Sequence, residues 1–191
     1  MKTSPASRYV WRHVCISKEA VMAHLDRKSV RHVAEILAAK QHPYPVTELT
    51  ETARSAADAA RALNVEVGAI VKTLLFVIEA QAQDSLRPVI VLIAGDRQCR
   101  TDVLPSVIGC EGRVRRPDAA QVKSLTGYSI GGVSPVGLPA SVPVLMDSSL
   151  GRFPLLWSAA GHPHCVFASH FTMLATLSDA MISDDISAIN Q

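Results

Sequence analysis

Residues 70–78 read Ile-Val-Lys-Thr-Leu-Leu-Phe-Val-Ile, nine positions with one charge, Lys72. β-branched and large apolar side chains at successive positions suit a strand covered on both faces, and the run is too short for an ordinary buried helix. A second apolar run, residues 88–94, follows after a polar stretch, and Gly95 ends it. The two are expected to pair as an antiparallel hairpin inside a sheet whose faces are both packed.

The cover comes from segments with helical spacing. Val30, Val33, Ala34, Leu37 and Ala38 recur on one helical face, with Ser29 as the expected N-cap and Pro43 and Pro45 as the stop. Ser55 and Asp58 form the pattern of a capping box ahead of an alanine-rich helix carrying Ala56, Ala59, Ala60 and Leu63. A short helix is expected within residues 101–108, capped by Thr101 or Asp102 and with Pro105 near its start. Pro117 is expected to open another helix, through Ala120, Val122 and Leu125, with Gly127 just past its end. Residues 172–177 predict a last helix. Further strands are expected at 46–49, 113–116, 142–146, 155–159 and 165–168, the second of these an edge strand because charges alternate along it. Strands fall in adjacent pairs with helices at intervals, not in strict βαβ alternation. The expected class is α/β of the α+β type, a mixed or antiparallel sheet flanked by helices.

Length and composition set the scale. A chain of 191 residues, 48% hydrophobic but only 5% aromatic, predicts one domain with an aliphatic core. That domain is expected to span residues 29–191, with 1–28 as an extension of unassigned role that lacks the apolar centre of a signal peptide. Cys15, Cys99, Cys110 and Cys165 show no C-x-x-C spacing, so reduced thiols and a cytoplasmic location are expected. No apolar run reaches the ~18 residues of a membrane span. A net charge of +2 argues against a protein that coats duplex DNA.

Chemistry is expected in few places. Residues 126–137, Thr-Gly-Tyr-Ser-Ile-Gly-Gly-Val-Ser-Pro-Val-Gly, crowd four glycines and a proline together with no charge. Such a loop is either a tight connection between strands or a cradle of main-chain N–H groups for an anion or oxyanion. Lys72 either reaches a rim or a carboxylate, or supplies a cation to a pocket. Asp147 and Asp96 lie where strands end and suit turns as well as sites. His162 and His164 would share a face of an extended chain, yet no third ligand stands nearby, so no metal is expected and His162 reads as a pocket wall or hydrogen-bond donor. Ser134 has no base placed for it by spacing. Arg97, Arg100, Arg113, Arg115 and Arg116 concentrate cations that are either a solvated edge or a surface for an RNA end.

With these residues in view, the chain resembles the YbaK/EbsC-like family of aminoacyl-tRNA deacylases, itself similar to the editing insertion domain of bacterial prolyl-tRNA synthetases. The likeness runs from about Ser29 onward. It is carried by Ser55-Ala56-Ala57-Asp58-Ala59-Ala60, Ile70-Val71-Lys72-Thr73-Leu74, Gly95-Asp96-Arg97, the loop 126–137, Asp147 with Leu150, and Ala160-Gly161. Ser55 stands where threonine is common. The resemblance implies a curved, partly barrel-like mixed sheet and a trans-editing hydrolase that removes a wrong amino acid, cysteine or alanine, from tRNA for proline without a cofactor. It implies Lys72 as the key pocket residue, with Gly131, Gly132, Val133, Ser134 and Pro135 as the opposing catalytic loop. Thr73, Gly137, Asp147, Gly161 and His162 would bind substrate. Partners would be the 3′ end of an aminoacyl-tRNA and a prolyl-tRNA synthetase, with no membrane and no duplex DNA. The alternative is a module on the same fold that binds an RNA end or small molecule without hydrolysis.

Overall fold

The computed structural model describes residues 24–189 except 52, 54 and 80–85. The two apolar runs form β2 (Val71–Glu79) and β3 (Leu86–Ala94), paired antiparallel in unbroken register from Val71 opposite Ala94 to Glu79 opposite Leu86. On one side β2 pairs antiparallel with β5 (Arg113–Arg115), but only over its last three residues. On the other side β3 pairs parallel with β6 (Val144–Asp147), and β6 pairs parallel with β9 (Met181–Ser183). The sheet order is β5-β2-β3-β6-β9, mixed as expected.

A second sheet has the order β1-β8-β7, from Thr47–Glu48, Cys165–Ser169 and Leu156–His162. It touches the first through a single parallel bridge, Ile70 to Trp157. A two-stranded ribbon joins β4 (Arg97–Cys99) to β10 (Ser187–Ile189). The sheets do not close into a barrel. That leaves β2 with an open edge: between the Ile70 bridge and the pairing of Val77 with Arg115, it has a strand neighbour only in β3.

Alternation along the strands explains why both faces of the hairpin are apolar. Val71 and Leu75, with Ile90, Leu92 and Met146, face a large core shared with α1 (Lys28–Ala39) and the β7–β8 hairpin. Phe76 and Ile78, with Val91, Ile93 and Leu145, face a smaller core closed by Leu104 and Ile186. Each such fully buried aliphatic side chain contributes about 1.5–3 kcal/mol. Lys72 shares the second face.

α2 (Ala56–Leu63) starts with the expected capping box between Ser55 and Asp58. Three helix starts differ from expectation. α1 begins one residue before Ser29, whose hydroxyl instead donates to the Gly161 carbonyl at 2.9 Å. α3 shrinks to Leu104–Val107. α4 (Ala119–Thr126) starts after Asp118, which forms a capping box with Gln121, so Pro117 precedes the helix and does not open it. Its end at Gly127, in the left-handed region at φ 77°, is as expected. α5 is Phe171–Ser178. Leu25 packs on the main core, so folded structure reaches upstream of residue 29; most of the expected extension lies outside the described residues.

Candidate active site

The open edge of β2 faces a cavity of about 580 Å³, within the roughly 300–1,000 Å³ typical of small-molecule sites. Along this edge Ile70, Lys72, Thr73 and Phe76 line it, with Trp157 and Ala59 packed by Ile70 and Arg116 over the Phe76 ring. Gly131, Val133 and His162 stand among the remaining lining residues. The described lining contains no carboxylate.

Lys72 is half-buried, and its Nζ donates to the main-chain carbonyl of Arg97 at the start of β4. Burial pulls its ammonium below the ordinary lysine range; Asp96 and Cys99 oppose this and Arg116 adds to it. The residue therefore sits as an anchored donor in a low-dielectric wall. Thr73, next along the strand, has a buried hydroxyl with no partner within the protein. A buried hydroxyl left unpaired costs about 1–3 kcal/mol.

The loop after α4 is rigidly tied. The Tyr128 hydroxyl is buried and donates to the Val136 carbonyl at 2.6 Å, and burial raises its pKa to about 12. Ser134 is fully buried and its Oγ accepts from the Val136 N–H at 3.2 Å, so this hydroxyl is a loop brace. Gly132 is needed for close approach: a Cβ there would lie 2.8 Å from the His162 main chain. Its N–H donates to the Ser129 carbonyl at 3.0 Å, which removes it from the set of free oxyanion donors. Among the described residues the Gly131 and Val133 amides have no such acceptor.

The β7–β8 turn brings His162 to the opposite wall. The His164 N–H donates to His162 Nδ1 at 3.3 Å, which leaves the neutral ring's proton on Nε2. Burial, then His24, Arg27 and His164, lower the His162 pKa to about 4. The His24 ring stacks on it at 4.3 Å between centroids. Gly161 lies just behind at φ 85°, where a Cβ would meet the Ser29 carbonyl oxygen at 2.6 Å.

Of the residues singled out in the sequence, Lys72, Thr73, Gly131, Val133 and His162 meet around the cavity. Gly132, Ser134, Pro135, Gly137 and Gly161 are not among its lining residues. Asp147 stands apart from the lining; it is buried, and its Oδ1 accepts from the Ser149 N–H at 3.0 Å as a cap. Trp157, Cys165 and Arg116 line the cavity without having been singled out for it. Nothing in their spacing could have shown it, because the second sheet and β5 are set against β2 by tertiary packing. No cluster of three potential metal ligands exists among the described residues, and no helix among them is long and apolar enough to cross a membrane.

The chain has relatives in sequence and in fold. Residues 50–176 match the family model of the aminoacyl-tRNA editing domain. The chain is 33% identical over 115 residues to the proline–tRNA ligase of Lactobacillus helveticus, covering 58% of this chain but 19% of the ligase. It is 30% identical over 116 residues to the uncharacterized protein YwhH of Bacillus subtilis, covering 61% of this chain and 69% of YwhH. A crystal structure described as a candidate trans-editing enzyme for prolyl tRNA synthetase superposes with a TM-score of 0.72 at 32% identity, over 83% of this chain and 96% of that one. The chain spans about a fifth of the ligase it matches and nearly all of this solved structure. With two-thirds of its length under the family model, the chain belongs to the aminoacyl-tRNA editing domain family.

Proposed function

We propose that this protein is a trans-editing deacylase that hydrolyses the ester between a wrong amino acid, cysteine or alanine, and the 3′ end of tRNA for proline. The observation that supports it is the convergence of Lys72, Thr73, Gly131, Val133 and His162 on one cavity in a member of this family. A prolyl-tRNA synthetase, the source of such mischarged tRNA, is the natural working partner.

The lining favours positioning and electrostatics over a protein nucleophile. The Cys165 thiol is held protonated, its pKa raised to about 11 by burial. The Ser55 hydroxyl is occupied with Asp58 at 2.7 Å. His162, with a pKa of about 4, is neutral at pH 7 and far less basic than the pKa near the working pH that suits a general base. Water attacks the ester carbonyl, and one of its protons passes to the departing ribose oxygen. The Gly131 and Val133 amides then receive the developing oxyanion, a contact usually worth ~2.7–4 kcal/mol per donor. Lys72 orients the aminoacyl group or an adjoining phosphate, Thr73 lines the pocket for the amino-acid side chain, and the His162 Nε2–H donates to the substrate. The ribose hydroxyl leaves, giving free amino acid and uncharged tRNA.

The test is a panel of tRNA for proline charged with cysteine, alanine, serine, threonine or proline, incubated with the pure protein. Release of cysteine or alanine faster than spontaneous hydrolysis, with prolyl-tRNA spared, is expected. Binding to these tRNAs with no release from any of them would leave the non-catalytic module as the correct reading.

A further inference from the structure

The arginine concentration at residues 97–116 comes apart in the fold. Arg97 Nη1 donates to the Ser187 hydroxyl at 3.2 Å, inside the β4–β10 ribbon. Arg100 pairs with Asp102 at 3.5 Å. Arg115 is held by Glu79 and by the Gln121 side-chain oxygen, the latter at 3.0 Å. Arg116 differs from all three. Among the described residues it has no carboxylate partner, it is exposed, and it lines the cavity. Its guanidinium lies 5.7 Å from the centre of the Phe76 ring, a cation–π contact that fixes where the charge stands.

Phe76 is four residues from Lys72 along β2, roughly 13 Å between main chains at strand rise, and the two cations stand near enough for Arg116 to help lower the Lys72 pKa. The cavity presents two cations, Lys72 and, beside Phe76, Arg116, and no carboxylate among the described lining residues. An amino acid with one ester carbonyl leaves the second cation unused. An extended ligand that carries an anion beyond its reacting group would use both. A planar guanidinium with free N–H groups matches phosphate oxygens.

We propose that Arg116 binds a backbone phosphate of the RNA 3′ end, upstream of the terminal ribose, while the aminoacyl ester lies at Lys72 and Thr73. This rests on the deacylase reading for what lies at the other end of the cavity. Because Arg116 stands away from the reacting atoms, it supplies binding in ground and transition state alike, and its loss falls on KM.

The test compares wild type, Arg116→Ala and Arg116→Lys on two substrates: alanine- or cysteine-charged tRNA for proline, and the same amino acid esterified to adenosine, which has no phosphate. For Arg116→Ala, KM for the charged tRNA rises at least tenfold with kcat within twofold, and the slope of log affinity against log salt becomes shallower by about 1. Hydrolysis of aminoacyl-adenosine stays within twofold of wild type, and Arg116→Lys falls between the two. An unchanged KM for charged tRNA overturns the proposal. So does an equal loss on both substrates, which would make Arg116 part of the pocket's shape. If wild type hydrolyses neither substrate, the deacylase reading fails, and affinity for an uncharged acceptor-stem hairpin decides about Arg116. Tenfold weaker binding by Arg116→Ala upholds the phosphate site, and equal binding overturns it.

Discussion

An ammonium on an apolar sheet face, bonded to a main-chain carbonyl, is held in place more tightly than a surface lysine, and this gives Lys72 its weight in the account. Its neighbour Thr73 faces the opposite core yet lines the same cavity, because the cavity wraps the unpaired edge of β2. His162 offers a check on the electrostatics of that wall. Its folded pKa of about 4 lies below the unfolded value of about 6.5. Between those values the unfolded chain binds a proton that the folded chain does not, so stability falls as pH drops from above 6.5 towards 4. His162→Gln removes this contribution. The difference in urea midpoint between wild type and variant should therefore shift over that window in wild type's disfavour as pH falls. Parallel pH profiles would show that the ring is not desolvated as described.

At the scale of elements, the loop after α4 and the β7–β8 turn form one unit, joined where Gly132 packs on the His162 main chain. Gly132→Val places a side chain into that contact, so it should lower kcat at least a hundredfold while the melting temperature falls by only a few degrees. An equal collapse of both would make the loop a structural clamp and no more. Tyr128→Phe removes the bond to the Val136 carbonyl and leaves a buried acceptor, costing about 1–3 kcal/mol in denaturant unfolding. Ser55→Ala removes the α2 cap and should cost about 1 kcal/mol. Elements with a strong local signal were legible in the sequence: the apolar hairpin, the α2 capping box, and α4 ending at Gly127. β4, β9 and β10 were not, because three residues carry no readable period and their pairing comes from segments more than eighty residues away or from a parallel neighbour. Ser29 misled for a related reason. A hydroxyl suited to capping its own helix is used to hold the Gly161 carbonyl.

Across the whole molecule, the hairpin is the frame against which both walls of the cavity are set. Residues 89–94 of β3 are fully buried, so their amides should exchange with solvent only on global unfolding, whereas those of β10, with Ile189 exposed, should exchange through local opening. Comparable protection in the two would contradict this division. The cavity itself was only half legible. Lys72, Thr73 and the glycine loop could be named from sequence, but Trp157, Cys165 and Arg116 arrive from other strands, and their meeting depends on a sheet edge left open by the tertiary fold. Hydrolysis at that edge is expected to depend on its anchored lysine. Single-turnover hydrolysis of alanine- and cysteine-charged tRNA for proline, by wild type and by a folded Lys72→Ala variant, tests it most directly. Wild type should release at least one amino acid rapidly and the variant at least a hundredfold more slowly; equal rates would remove Lys72 from the reaction.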